Sequence, residues 1–428
     1  MSLGETISTL VVKSEFKDIN LNVTTISNDE LGIITDDAFS SASIIETKND
    51  NVLKAACIYG SNNSGKTCIV RIIRAIWSVI LNQPGNISPN LFSNNPRVFI
   101  SCRFIQDEKE WEYSFKFDVS NNVFVYESFS LIEFDSYKNE KSTLYYERDF
   151  ENNRFFSKDD ALNASLTLMS KNNILIHVVD TTTLPYLNEA KNILQKFANR
   201  IVIFDMNNIS MDQTIQLLKN HSEVQKDIVS FIKNADLDLD EIKYIGSNQM
   251  NEVRVSKQAP AEEVIAMKLQ QSFEDSMRLV SVYKGVPVPS LQFDSTGTKK
   301  ITALASYVIN ALRQGHILVV DELDSSIHFK LTRAIISMFN NELNDNAQLI
   351  FTAHDVSLMD CKKLFRKEQI WFVHKDAEQV YLYSLASFTA EDGIRGDTTD
   401  LFDKYKRGIL GAIPEPDMLK TLLQVKNE

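Results

Sequence analysis

Gly60-Ser61-Asn62-Asn63-Ser64-Gly65-Lys66-Thr67 fits the pattern G-x-x-x-x-G-K-[ST] at every fixed position. Its context is the required one. The compact apolar stretch Ala55-Ala-Cys-Ile-Tyr59 predicts a strand before it, and an apolar period from Thr67 to about Leu81 predicts a helix after it. Glycine at both ends lets the chain turn tightly enough for the backbone N–H groups of residues 62 to 67 to converge on phosphate oxygens. The helix N-terminus adds its positive dipole, Lys66 can reach the β and γ phosphates, and the Thr67 hydroxyl can ligate Mg²⁺. A chance match in a Gly/Ser/Asn turn is the bland alternative. The chain has only 13 glycines in 428 residues, so a glycine-rich composition does not account for the match.

Working outward, His316-Ile-Leu-Val-Val-Asp321-Glu322 is an apolar strand ending in two carboxylates. A buried strand would deliver Asp321 at its C-terminal edge beside the Mg²⁺ on Thr67, leaving Glu322 to deprotonate a water in line with the γ-phosphate. Acidic residues after a strand also cap helices; the phosphate loop upstream favours the nucleotide role. More than half the chain separates Lys66 from Asp321, which is natural if a whole subdomain is inserted between them. Before the second strand, Asp294-Ser295-Thr-Gly297-Thr opens a helix predicted to run to about Arg313, a second anion-binding helix end. One chain already has its phosphate loop, so a second such end makes sense if it closes on the nucleotide of another copy. His354, in Phe351-Thr-Ala-His354-Asp355, ends the next strand, where it can hydrogen-bond the γ-phosphate or the attacking water.

Composition sets the outer limits. A hydrophobic share of 43% with 24% charged residues is ordinary for a globular chain and excludes a disordered or collagen-like one. Net charge of −12 argues against a surface basic all over, so nucleic acid is a possible partner that charge does not indicate. No window is long and apolar enough for a membrane span, the N-terminus has no secretory pattern, and the four cysteines are scattered. The expectation is a cytoplasmic protein with reduced thiols and no membrane partner.

Period-2 stretches in the first 50 residues and from Val98 to Glu133 predict antiparallel sheet, and residues 150–275 are more helical and polar. From residue 279 onward, strands alternate with helices, the pattern of a parallel sheet. The expected organisation is an N-terminal ATPase half at 1–150, an inserted, mostly helical subdomain at 151–275, and a C-terminal ATPase half at 276–428. The insertion lacks sustained heptads and so has no coiled-coil arms. Asp236-Leu-Asp238-Leu-Asp240 begins like a calcium loop, but position six is Glu241 rather than glycine, so it is taken as a solvated turn.

In this order the motifs resemble the ABC-type ATPases of the SMC, RecF and OLD kind, and more closely the bacterial AAA-type ATP-binding proteins of abortive-infection and other antiphage loci. Trp371-Phe-Val-His-Lys-Asp376 and Tyr405-Lys-Arg-Gly408-Ile-Leu-Gly411-Ala-Ile-Pro414 also look like that subfamily. The resemblance implies an α/β P-loop NTPase of ABC type: a mixed sheet core, an N-terminal antiparallel β lobe and an inserted, mainly helical subdomain. It implies ATP and Mg²⁺, with Gly60 to Thr67 as the cradle and Thr67 and Asp321 on the metal side. Glu322 would be the general base, His354 the switch, and Ser295 and Gly297 the contacts to the opposite protomer's γ-phosphate. Two ATP molecules would be held head to tail in a homodimer or higher homo-oligomer. The stretch after His354 is too short for the Toprim nuclease domain of OLD proteins, so nuclease activity would belong to a separate effector. A RecF-like DNA clamp and a transporter subunit are the alternatives; coupling residues for the latter are not found. The family's Q-loop glutamine is not placed, Gln106 being a guess by residue type, and the adenine-stacking residue is equally unassigned.

Overall fold

The computed structural model describes residues 6–14, 17–21, 24–26, 42–46, 51–83, 87, 96–137, 139–207, 209–220, 222–235, 237, 239–246, 270, 272–361, 363–375, 380–394, 401–411 and 424–425. Asp236 and Asp238 of the calcium-like turn, Asp376, and the Ala412–Pro414 end of the tail motif lie outside the described residues.

The chain begins with β1 (Thr6–Ser14) and β2 (Lys17–Leu21), then β3 (Thr24–Ile26), β4 (Ile44–Glu46) and β5 (Asn51–Leu53), the last three forming a small antiparallel sheet. Next come β6 (Ala55–Gly60) and α1 (Lys66–Ile80). Five strands follow: β7 (Arg97–Gln106), β8 (Lys109–Asp118), β9 (Val123–Phe134), β10 (Glu140–Asp149) and β11 (Arg154–Ser157). They join β1 and β2 in a seven-stranded antiparallel sheet of order β11-β10-β9-β8-β7-β1-β2.

Helix α2 (Pro185–Arg200) leads into β12 (Ile201–Asp205), and α3 (Asp212–Asn220) and α4 (Ser222–Asn234) follow. A three-stranded sheet of β13 (Glu241–Tyr244), β14 (Leu279–Tyr283) and β15 (Val286–Pro289) precedes α5 (Thr296–Gln314) and β16 (Ile317–Asp321). Then come α6 (Phe329–Phe339), β17 (Gln348–Thr352), β18 (Ile370–Lys375) and β19 (Val380–Ser384). The central six-stranded sheet has the order β12-β16-β17-β6-β18-β19, parallel throughout except for the antiparallel β18–β19 hairpin. This is the mixed α/β P-loop architecture expected from the motifs.

Burial on both faces explains why β6, β16 and β17 read as unbroken apolar runs. Alternate residues then serve two cores. Ala56, Ile58, Ile317, Val319 and Ile350 face α1, α2 and the antiparallel sheet, with Phe104 and Phe197 stacked at 3.9 Å between ring centroids. Ala55, Cys57, Leu318, Val320 and Phe351 face α5, α6 and α4. The apolar stripe of α1, Ile69, Ile73, Ile76 and Ile80, keeps the helical period and sits wholly in the first core.

Strands β11, β12 and β13 fall inside the stretch read as a mostly helical insertion. Of these, Ile201–Asp205 is the edge strand of the central sheet, in parallel register with β16.

The antiparallel sheet is tied to α1 through a buried ion pair. Arg148 and Glu127 face each other with both side chains fully buried. Glu127 also accepts from the hydroxyls of Tyr146 (2.9 Å) and Tyr113 (3.3 Å) and from the Leu175 N–H (2.9 Å). Arg148 donates to the carbonyls of Ser170 and Asn173, pinning the loop that carries His177. His177 Nε2 lies 2.8 Å from the Ile80 carbonyl at the C-terminus of α1. Neutralising one member leaves the other buried and uncompensated, so Glu127→Gln should cost roughly 3 kcal/mol or more in denaturant unfolding. A loss below about 1 kcal/mol would show that the pair is dispensable.

Candidate functional site

Space alone accounts for glycine at position 60. A Cβ there would stand 2.5 Å from Ser64 Oγ and 2.7 Å from the Val373 carbonyl oxygen, which no ordinary side-chain shift relieves at the backbone atom. Gly65 has φ of 110° and Asn63 of 62°, so the loop turns through left-handed conformations just before α1 begins at Lys66. Val373 of β18 and Val380 of β19 back Gly65. Lys66 Nζ bridges the loop, donating to the carbonyls of Gly60 (2.7 Å) and Ser61 (3.1 Å). Burial lowers its pKa, opposed by the nearby carboxylates of Glu322, Asp321 and Asp324. The buried Ser64 hydroxyl has no hydrogen-bond partner among the described residues. Asn62 and Asn63 are exposed, and Ser61 and Thr67 are half-buried at the rim.

Asp321 and Glu322 follow from the parallel pairing. β16 lies beside β17, and β17 beside β6, so their C-terminal ends share one sheet edge with the phosphate loop. Thr352, at the end of β17, connects the pair: its hydroxyl donates to Asp321 Oδ1 at 2.7 Å and accepts the Glu322 N–H at 2.7 Å. Glu322 has φ of 57°, a strained conformation for a side-chain-bearing residue, and this hydrogen bond holds it there.

The Glu322 carboxylate meets two further groups. Oε2 accepts from Asn207 Nδ2 at 3.0 Å, and Oε1 lies 3.5 Å from His354 Nε2. The Asn207 hydrogen bond, the His354 contact and the Lys66 charge hold the carboxyl below its ordinary pKa, against burial. Asp324 fixes the segment after β17, accepting from the N–H groups of His354 (2.7 Å) and Asp355 (2.5 Å).

Ser295 and Gly297 form a second group. The Ser295 hydroxyl accepts the Thr298 N–H at 3.0 Å, a helix N-cap, and Asp294 beneath it is held by Ser281 (2.7 Å) and Tyr283 (2.8 Å). A Cβ on Gly297 would lie 3.7 Å from the Ser326 carbonyl, and buried Lys300 donates to the Ser326 (3.2 Å) and Ser325 (3.4 Å) hydroxyls. This helix end is therefore joined to the segment after Glu322.

The arrangement brings together Lys66, Asp321, Glu322 and His354, and it adds Thr352, Asn207 and Asp324. Gln106 sits elsewhere: it is buried at the β7–β8 turn, where its Nε2 donates to Asp107 and its carbonyl accepts from Trp111 Nε1. His328 caps α6 by accepting the Lys330 N–H. Among the described residues, no group of three or more His, Cys, Asp or Glu is built to hold a metal. The donor set of one hydroxyl, Thr67, and one strand-end carboxylate, Asp321, suits Mg²⁺ only where substrate oxygens and waters complete its shell.

Residues 55–360, well over half of the chain, match the family model described as "AAA domain, putative AbiEii toxin, Type IV TA system". Curated proteins give no significant match. Among solved structures, an SMC head bound to the C-terminal winged-helix domain of ScpA aligns at 12% identity and TM-score 0.44, over 91% of this chain and 99% of that one. The SMC head domain from Thermotoga maritima gives 11% and 0.38, over 88% and 98%. A Pyrococcus furiosus SMC head with an extended coiled coil, bound to the C-terminal domain of ScpA, gives 11% and 0.39, over 91% and 98%. No helix among the described residues is long and apolar enough to cross a membrane.

Thr352→Val keeps the shape of the side chain while orphaning the Glu322 N–H. It should cost about 1–3 kcal/mol in unfolding and lower the activity of the site. Stability and activity both at the level of the unsubstituted protein would show that Thr352 does not hold the acidic pair.

Proposed function

The chain belongs to the AbiEii-type AAA-domain family, and on that footing we propose that it is an ATP-binding and ATP-hydrolysing subunit of ABC type serving an abortive-infection-like antiphage system. The observation that carries the ATPase reading is the convergence of Lys66, Asp321, Glu322 and His354 at one sheet edge. The family's toxin–antitoxin description supports the defence role. The effector would be a separate chain, a nuclease of Toprim or other type, released or held according to the nucleotide state.

In this scheme the backbone of Gly60 to Thr67 cradles the triphosphate, and the Lys66 ammonium exchanges its loop carbonyls for β and γ oxygens. Thr67 and Asp321 would hold Mg²⁺, which when bound offsets the charge on the phosphate oxygens. Glu322 takes one proton from water as the water oxygen bonds to the γ-phosphorus and the bridging P–O bond to ADP breaks, giving ADP and phosphate. His354, beside Glu322, orients the water or the γ-phosphate. Ser295 and Gly297 present the N-terminus of α5 to the γ-phosphate of a second copy, so that two ATP molecules are shared head to tail across a homodimer. ATP then closes the dimer and hydrolysis releases it, a two-state switch.

Lys66→Ala should abolish nucleotide binding and Glu322→Gln should retain it while trapping a dimer, read by a fluorescent ATP analogue and by light scattering. Both should abolish phage protection in plaque assays of the intact locus. Normal ATP turnover by Glu322→Gln would refute its role as base, and unchanged protection would refute the defence role.

Ser295→Arg should leave nucleotide binding to the single chain intact while stopping steady-state hydrolysis. Full turnover by this variant would remove the case for a shared site.

A further inference from the structure

Asn207 lies outside every motif of the sequence, yet it touches the residue proposed as the base. Its Nδ2 donates to Glu322 Oε2 at 3.0 Å. Its own backbone is fixed: the Asn207 N–H donates to Asp205 Oδ1 at 2.8 Å, closing a tight turn at the end of β12. The preceding Met206 N–H reaches the Asp321 carbonyl at 3.4 Å, and Asp205 pairs in register with Asp321. The sheet register therefore sets the level at which this amide meets the carboxylate.

Three groups restrain Glu322, and their chemistry differs. Thr352 holds its N–H, His354 stands 3.5 Å from Oε1, and Asn207 holds Oε2. A side-chain amide donates without exchanging protons in the working pH range, so Oε2 is engaged by a donor that takes no part in proton transfer. Oε1 faces the switch histidine. On the reading of Glu322 as the base, we propose that Asn207 is a positioning residue for hydrolysis, its amide fixing the carboxylate through Oε2 and reserving Oε1 for the proton of the attacking water.

The residue also links the base to the rest of the chain. β12 is followed by α3 and α4, and both helices pack on α5, which begins at Ser295 and Gly297. Asn207 thus stands between the helix offered to a second copy and the carboxylate that acts on this copy's nucleotide.

Asn207→Ala and Asn207→Asp test the assignment with ATP turnover, affinity for a fluorescent ATP analogue, and thermal unfolding. Loss of one donor to a charged group should lower kcat roughly tenfold in the alanine variant, with nucleotide affinity within about twofold. Aspartate keeps the shape but turns an acceptor toward the carboxylate, so its kcat should fall at least as far. A merely structural role reverses that ranking, with the isosteric aspartate the better of the two. Aspartate turning over at the unsubstituted rate, or a loss confined to nucleotide affinity, would overturn the proposal. Glu322→Gln assayed beside them separates the failures. Normal turnover there removes the base and the proposal together, whereas a dead Glu322→Gln beside a fully active Asn207→Asp removes the clamp alone.

Discussion

The parallel register of β12, β16, β17 and β6 is the constraint on which the rest depends. It lines up Asp205 with Asp321, Phe351 with Val320, and Thr352 with Ile58, so four strand ends from distant parts of the chain finish at one edge. Strands buried on both faces tolerate no slip, because a one-residue shift would exchange the residues serving the two cores. The same register that packs Val319 and Ile350 on one face, and Val320 and Phe351 on the other, places Thr352 between the Asp321 carboxylate and the Glu322 N–H. Core packing and site geometry are thus a single requirement.

This edge carries both left-handed backbone and clustered charge. Asn63, Gly65, Glu322 and Ser326 all have left-handed backbone, and each lies in the phosphate loop or just after the acidic strand. Such conformations persist where neighbours over-determine them. Val373 and Val380 back the loop at Gly65, and Thr352 holds Glu322. Three carboxylates surround the Lys66 ammonium, so an incoming polyphosphate meets a cation already held in place by the loop and its acidic neighbours. Further away, the buried Arg148–Glu127 pair fixes the loop carrying His177 against the last turn of α1, which ties the antiparallel sheet to the helix that starts at Lys66.

The legible parts of the sequence were those written contiguously. The phosphate loop, the strand ending in Asp321-Glu322 and the strand ending before His354 each carry their signal within a few residues, and each element stands where the pattern put it. Ile201–Asp205 was not legible, because it leaves α2 directly at Arg200 with no glycine or proline to mark the change, inside a stretch dominated by helical periods. Missing β12 also hid Asn207, whose part comes wholly from being brought beside Glu322 by a strand pairing more than a hundred residues apart in sequence. Thr352 was invisible for the same reason: a threonine ending a strand carries no signal until its neighbour strand is known. Gln106, named by residue type alone, lies in the antiparallel sheet rather than on the central one.

On the reading proposed above, two copies share the work. The N-terminus of α5 is capped and exposed, with Asp294 held by Ser281 and Lys300 joined to Ser326. The most direct measurement is a structure of Glu322→Gln with bound ATP and Mg²⁺. It should show Ser295 and Gly297 of one copy within hydrogen-bonding distance of the γ-phosphate held by Lys66 of the other. Finding that helix end remote from every γ-phosphate in each assembled copy would contradict the account.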